Sequence, residues 1–185
     1  MKSALRMLGV LVICLPVACQ RPPVETPAPL PPSPTAVANE FFSSYRGDFR
    51  QADRRLLSGA LASALQSASE GEKESVVRVK ASEFPNDKPL ILEGEIFAGL
   101  YEGFTGYEIA GENISDGQAV VQVRFRNDNY NVSWMDDVVL VDEDGWKIDN
   151  VRYTQKLAGL LGLRDVLLEF EGSLASEAAS MAKSQ

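Results

Sequence analysis

Two adjacent acidic residues, Asp136 and Asp137, are the side chains of this sequence best placed to do chemistry. They lie in the stretch from Val132 to Val141, whose apolar residues predict a β-strand, and successive side chains in a strand point to opposite faces. If one face of the sheet is covered, one of the two carboxylates points towards the core. A carboxyl group in an apolar pocket has a raised pKa and can act as a general base.

The register of the following hairpin decides which aspartate points inward. A two-residue turn at 143–144 sends Asp137 inward beside Met135, whereas a shift by one residue sends Asp136 inward beside Trp134. A structural alternative is a bulge or an open strand end, which lets both aspartates reach water or pair with arginines. The sequence alone leaves these alternatives open.

The sequence contains no histidine, which excludes Ser-His and Cys-His catalysis and every zinc site built on imidazole. The acidic run from Asp142 to Asp144 lacks the ligand spacing of a calcium loop and predicts a solvated hairpin tip. We therefore expect neither a metal nor a cofactor, and the sequence favours a binding function over catalysis.

The stretch from Glu93 to Gly103 sets three glycines and three acidic residues around apolar ones. It predicts a mobile lip over a pocket or a partner-binding edge, with Glu95, Phe97 and Tyr101, together with Trp134, as the candidate ligand or partner surface. The alternative is a turn and a short helix that tie the helical half of the chain to the sheet, with the apolar residues plugging the core.

Residues at helical spacing dominate the first part of the predicted domain. Apolar side chains predict a helix capped by Asn39, a second helix over about 54–67 and a third, helix-compatible stretch over about 72–84. A last helix is predicted over roughly 157–181.

From Phe104 onward the apolar residues recur at every second position, which is typical of strands. Turn signals between these runs predict a four-stranded meander over roughly 104–114, 118–126, 132–141 and 146–153. We therefore expect an α+β fold in which N-terminal helices pack on a curved antiparallel sheet of about four strands, followed by a C-terminal helix.

The first residues, 1–18, carry two positive charges followed by a short apolar run, which predicts a secretory signal peptide. The sequence Leu-Pro-Val-Ala-Cys at 15–19 resembles a bacterial lipobox, in which Cys19 becomes the lipidated first residue of the mature chain. Pro16 occupies the position where leucine is usual, and ordinary cleavage after Ala18 is the alternative.

Seven of the ten prolines lie between Gln20 and Ala36, without apolar periodicity. This composition predicts an extended linker, so that 19–36 forms the lipidated cysteine and tether and 37–185 a single domain. Because Gln20 rather than aspartate follows the cysteine, we expect the protein in the outer membrane of the bacterial cell envelope, facing the periplasm.

Acidic residues outnumber basic ones in the mature chain. Of the 18 Lys and Arg residues, two leave with the signal peptide, so 16 remain against 26 Asp and Glu, a net charge of −10. Such a surface repels phosphate backbones, which excludes nucleic acid as a partner and favours a basic protein.

Three stretches of the domain, taken together, resemble a known family. The run Lys-Pro-Leu-Ile-Leu-Glu-Gly-Glu-Ile-Phe-Ala-Gly-Leu-Tyr-Glu-Gly at 88–103, the step Trp134-Met-Asp136 and the run Asp-Gly-Trp-Lys-Ile-Asp-Asn-Val-Arg-Tyr at 144–153 look like the bacterial domain-of-unknown-function 3828 family. The resemblance covers roughly 38–170. It implies a nuclear transport factor 2-like, cystatin-like fold and an exported, often lipid-anchored protein, and it carries over no catalytic residue.

The leading hypothesis is a membrane-tethered envelope lipoprotein that binds a protein or a small apolar ligand, as an inhibitor or in envelope maintenance. The alternative is a histidine-free enzyme, isomerase-like or dehydratase-like, with Asp136 or Asp137 as general base. A structural spacer is the third interpretation.

Overall fold

The structure, a computed structural model, describes residues 31–157 and 159–183. The predicted signal peptide, the predicted lipidation site Cys19 and most of the predicted linker lie outside the described residues.

The described part of the chain begins with helices and continues into a sheet. Its helices are α1 (Pro34–Ser44), α2 (Gly59–Ala81) and α3 (Leu163–Lys183), with short 3₁₀ turns at Phe49–Gln51 and Arg54–Leu56. Its strands are β1 (Gly106–Ser115), β2 (Gln118–Asn127), β3 (Val132–Asp142), β4 (Trp146–Leu157) and β5 (Leu160–Gly162).

The predicted α+β class with helices before an antiparallel sheet and a C-terminal helix is confirmed. The described sheet, however, has five strands rather than four, in the order β1-β2-β3-β4-β5, and every neighbouring pair is antiparallel. The extra strand β5 forms where the chain folds back on β4 before α3 begins. The last helix therefore starts at Leu163, and not near residue 157 as predicted.

One face of the sheet carries the core. The alternating residues predicted for β2 are buried on this face, namely Ala119, Val121, Val123 and Phe125. Helix α1 packs there through Phe42, whose ring lies 5.2 Å from that of Phe125, edge to face. Register shifts at Ala110 in β1, between Ile109 and Gly111, and at Asp149 in β4, between Ile148 and Asn150, mark β-bulges, which bend a strand.

Helix α1 begins five residues before the predicted cap. Ser33 is the N-cap, since its hydroxyl accepts a hydrogen bond from the amide of Ala36, and Pro34 takes the first helical position. Serine followed by proline is a favourable helix start, because proline lacks the amide hydrogen that would be left unbonded there. These residues were assigned to the linker because they end a proline-rich run.

Helix α2 is continuous for 23 residues, where the sequence predicted two helical stretches. Ser58 caps it by accepting a hydrogen bond from the amide of Leu61 at 3.0 Å. Gly71 lies in the predicted gap, but it continues the helix. A Cβ built at this position would lie 2.3 Å from a methyl of Leu174 on α3, so the glycine serves helix packing.

The β3–β4 hairpin has the second register that the sequence analysis considered, shifted by one residue from that of a two-residue turn. Asp142 pairs with Trp146, so three residues form the turn, and the extra residue Asp149 of β4, opposite the step from Val139 to Leu140, shifts the register further along. Asp144 and Gly145 both have positive φ angles, 54° and 111°, as such a tight turn requires. This register directs Asp136 into the core.

Candidate functional site

The segment 82–105 joins α2 to β1 without a helix or strand of its own, and we call it the connecting segment. Its centre, Ile96, Phe97 and Ala98, is buried, and the Phe97 ring lies 4.7 Å from that of Phe41. Phe97, a predicted surface residue, therefore belongs to the core. The interpretation of this stretch as a plug between helices and sheet describes its packing, although no helix forms in it.

Asp136 fastens the connecting segment to the sheet. One carboxylate oxygen, Oδ2, accepts hydrogen bonds from the amide of Gly99 at 2.7 Å and from the indole nitrogen of Trp134 at 2.8 Å. The other, Oδ1, accepts from the amide of Thr154 at 3.0 Å. A Cβ at Gly99 would lie only 3.0 Å from Oδ1, which explains the glycine.

The Asp136 carboxyl is an anchor and not a base. Burial raises its pKa, and the hydrogen bonds from Thr154, Gly99 and Trp134 oppose that increase. The side chain is fully buried, and both of its oxygens accept hydrogen bonds from the protein. Asp137 is partly exposed on the opposite face and lies across from Arg152 in the register of β4.

Glu95 is the second buried carboxyl, and its surroundings differ. Two of its hydrogen bonds end on Oε1, from the Tyr45 hydroxyl at 3.0 Å and from the amide of Phe97 at 2.6 Å, and the amide of Ile96 is a further donor to the carboxyl. The other oxygen, Oε2, lies beside two glycines. A Cβ at Gly47 would lie 3.8 Å from it and one at Gly103 3.7 Å, and both residues have positive φ angles.

Burial raises the pKa of Glu95 to about 7, even though the amides of Phe97 and Ile96 and the hydroxyl of Tyr45 favour the charged form. Burial and the adjacent Glu95 carboxylate in turn raise the pKa of Tyr45. The tyrosine therefore keeps its proton and remains a hydrogen-bond donor. A carboxyl that is partly ionised at neutral pH can accept a proton or bind a cation.

Glu95 lines a groove of about 970 Å³. The groove lies between the C-terminal end of α1, the turn after it, the connecting segment and the start of β1. Its aromatic lining residues are Phe42, Tyr45, Phe49, Phe104 and Tyr107, with Tyr101, which is 48% exposed, also on its wall. The remaining lining includes charged side chains, so the groove combines aromatic rings with polar groups around the Glu95 carboxyl.

A partly buried ion pair holds one side of the groove in place. The Arg50 guanidinium donates to both carboxylate oxygens of Glu72 on α2, at 2.9 and 2.5 Å, and to the backbone oxygen of Leu92 at 3.2 Å. Glu72 also accepts from the amide of Leu92 at 2.8 Å. The ion pair therefore ties the connecting segment to the 3₁₀ turn at Phe49–Gln51 and to α2.

The predicted site residues separate into two groups. Glu95 and Tyr101 line the groove, whereas Trp134 is buried, stacked 5.6 Å from Phe125 and bonded to Asp136. The sequence analysis did not place Tyr45 or Phe104 at a site, because it assigned them to the first helix and to the start of the first strand. The glycines at 47 and 103 were the available signal, since glycine beside charged and aromatic residues often marks a close approach to the backbone.

Two further observations concern the described residues alone. They contain no group of three or more histidine, cysteine, aspartate or glutamate side chains arranged to hold a metal ion. No helix among them is long and apolar enough to cross a membrane.

Comparison with known proteins adds no relative. No family model, no curated protein and no solved structure matches this chain.

Proposed function

We propose that this protein is an envelope lipoprotein whose domain is a ligand-binding module, with the groove around Glu95 as its binding site. The observation that carries the proposal is a groove of about 970 Å³ whose aromatic wall surrounds one buried carboxyl. Small-molecule sites are usually clefts that combine apolar and aromatic walls with polar groups at fixed positions, and this groove carries further charged side chains such as Arg46, Arg50 and Glu93 in its lining.

Binding is preferred over catalysis because the groove lacks a complete catalytic set. The chain has no histidine, and Asp136 is engaged by three protein donors away from the groove. The enzyme hypothesis consequently moves from the two aspartates to Glu95, whose pKa of about 7 suits a general base. Chemical conversion of a bound ligand by the wild type, and not by Glu95→Gln, would favour it.

The envelope location rests on the sequence at 15–19, the proline-rich run and the acidic composition. Membership in the domain-of-unknown-function 3828 family, with a nuclear transport factor 2-like fold, is part of the same proposal. Its support is that the three similar stretches contact one another in the fold. The amide of Gly99 donates a hydrogen bond to the Asp136 carboxylate, and the Tyr153 hydroxyl donates to the backbone oxygen of Ile96 at 2.6 Å.

Native mass spectrometry of the full-length protein, extracted from the envelope of its bacterial host in mild detergent, tests the proposal. We expect a small-molecule mass to be retained by the wild type. Ser43→Trp should lose it, because Ser43 is exposed on α1 at the groove and a bulky ring there fills the space. Ser63→Trp, an exposed serine on α2 away from the groove, is the matched control.

Retention of the same mass by the wild type and both variants would contradict the groove as the site. A retained basic protein that salt releases would instead support the inhibitor form of the hypothesis, since charge complementarity weakens with ionic strength.

A further inference from the structure

We propose that the groove selects ligands that carry a protonated amine on an apolar body, with the ammonium group bound to Oε2 of Glu95. This inference rests on the proposed function and names the chemical class of the ligand.

The first support is the unequal distribution of hydrogen bonds between the two carboxylate oxygens of Glu95. Tyr45 and the amide of Phe97 both donate to Oε1, and Oε2 receives neither of these hydrogen bonds. Gly47 and Gly103, which line the groove, lie beside Oε2 and place no side chain in front of it. A hydrogen-bond donor of a ligand that enters the groove can therefore bind to Oε2 of Glu95.

The second support is that the basic side chains of the groove are already engaged. Arg50 pairs with Glu72 and Asp48, Arg126 pairs with Asp128, and Arg46 donates to two backbone oxygens. Within 31–157 and 159–183, no lysine or arginine forms an ion pair with Glu95. A buried carboxylate without a cation is unfavourable, and a ligand ammonium group supplies that cation.

The third support is the aromatic wall. The rings of Tyr45 and Phe104 lie 6.5 Å apart and stacked, and Tyr107 meets Phe104 edge to face at 6.4 Å. All three residues line the groove with Glu95. Aromatic faces attract ammonium groups and pack against an apolar body, so they favour the same class of ligand as the carboxylate.

Several titratable groups lie around Glu95. Burial raises the pKa of Tyr45 and of Tyr153 on β4, so both stay neutral. Burial raises the pKa of Asp48 as well, but hydrogen bonds from Arg50 and Gln51 outweigh it and lower the pKa overall. Burial also raises the pKa of Asp136 on β3, and this contribution is common to the wild type and any Glu95 variant.

The test uses three soluble probes of nearly equal shape: phenethylamine, which is cationic, 2-phenylethanol, which is neutral, and phenylacetate, which is anionic. Their affinities for the full-length protein are measured by calorimetry at about pH 8 and about pH 5.5. At the higher pH we expect the amine to bind at least about tenfold more tightly than the alcohol, as charge-assisted hydrogen bonds do. Phenylacetate should bind most weakly.

At the lower pH the preference for the amine should fall by about tenfold or more, because Glu95, with a pKa of about 7, is then mostly protonated. Glu95→Gln should bind the amine no more tightly than the alcohol at either pH. Glu169→Gln, which removes an exposed charge on α3 far along the chain, should behave as the wild type. The pH dependence of the wild type alone gives the same test if Glu95→Gln does not fold.

Equal affinity for amine and alcohol at about pH 8, or a preference that survives in Glu95→Gln, would overturn this inference. The groove would remain a ligand site in that case, provided that Ser43→Trp abolishes binding of the alcohol. Failure of all three probes to bind at millimolar concentration would count against the proposed function as well.

Discussion

Two buried carboxyls, Glu95 and Asp136, hold the same connecting segment, yet their hydrogen bonds fit them for different tasks. Three donors divide between both oxygens of Asp136, so the group is fully engaged. Two of the donors to Glu95, the Tyr45 hydroxyl and the Phe97 amide, share one oxygen, and the other oxygen lies beside the glycines of the groove. At the scale of the residue, the placement of donors therefore separates an anchor from a binding group.

Glu95→Gln should remove part of the pH dependence of stability. The ordinary pKa of a glutamate carboxyl is 4.5, and the pKa of Glu95 in the folded protein is about 7. Between these two pH values the folded state keeps a proton that the unfolded chain releases. Its stabilising contribution is present below pH 4.5 and is lost as the pH rises to about 7. Between about pH 4 and pH 8 we expect the wild type to lose about 3 kcal/mol more unfolding free energy than Glu95→Gln.

Urea unfolding at a series of pH values measures this difference. Glu102→Gln is the matched control, because Glu102 is exposed in the same segment and its curve should run parallel to that of the wild type. A constant offset between wild type and Glu95→Gln at all pH values would contradict the prediction.

Asp136→Asn should destabilise the protein by about 2–3 kcal/mol, because the new amide group faces at least one of three N–H donors and leaves it without an acceptor. Asp137→Asn, one residue away on the other face, should change stability by less than about 0.5 kcal/mol. Urea unfolding followed by circular dichroism makes the comparison. Equal losses from the two substitutions would show that Asp136 is not the anchor.

At the scale of the element, the contact between α2 and α3 depends on side chains that the sequence separates widely. Arg78 on α2 donates to Glu177 on α3 at 3.1 and 2.7 Å, and Ser75 donates to the same carboxylate at 2.7 Å. Ser75 also accepts from the amide of Leu90 at 2.8 Å. The two helices and the connecting segment are therefore joined at one place.

Two helical glycines give a matched test of this packing. Gly172 on α3 has open space around it, so Gly172→Ala should stabilise the protein by about 0.5–1 kcal/mol through helix propensity. Gly71→Ala gains the same propensity but drives its methyl into Leu174. We expect Gly71→Ala to be about 2 kcal/mol less stable than Gly172→Ala in thermal unfolding. Equal stabilisation by both substitutions would mean that Leu174 and α3 accommodate the added methyl group without a loss of stability.

At the scale of the whole molecule, the groove forms where the end of α1, the connecting segment and the first strand meet, whereas α2 and α3 pack elsewhere on the sheet and on each other. Residues 31–185 form one compact unit. In the proposed function this unit is anchored to the membrane through a lipid on Cys19. The location of the protein and the chemistry of its groove therefore depend on different parts of the chain.

Cys19→Ser should release the mature protein from the membrane fraction, because the thiol that carries the lipid is lost and each acyl CH₂ in the bilayer contributes about 0.8 kcal/mol to anchoring. Detergent-phase partition and the intact mass of the protein measure the change. Cys14→Ser is the matched control, since Cys14 lies within the predicted signal peptide. Cleavage after Ala18 without lipidation would leave wild type and Cys19→Ser alike in the aqueous phase.

The elements were predictable because their signals are local. A period of two over 118–126 and helical spacing within 59–81 follow from how side chains alternate in strands and recur in helices, and both are present in the structure. Boundaries were less predictable: Ser33 and Pro34 resembled the linker, and Gly71 resembled a break, because what decides them is a cap and a neighbouring helix.

By itself, the sequence determined the α+β order and the covered face of β2, and it left open whether Asp136, Asp137 or neither points inward. Only the tertiary structure decided that it is Asp136, since the three-residue turn and the bulge in β4 set the register. It alone brought Tyr45 to Glu95, 50 residues apart in the chain. Local periodicity reports which face of an element is apolar, whereas a site is made by contacts between elements, and these depend on the packing of the whole core.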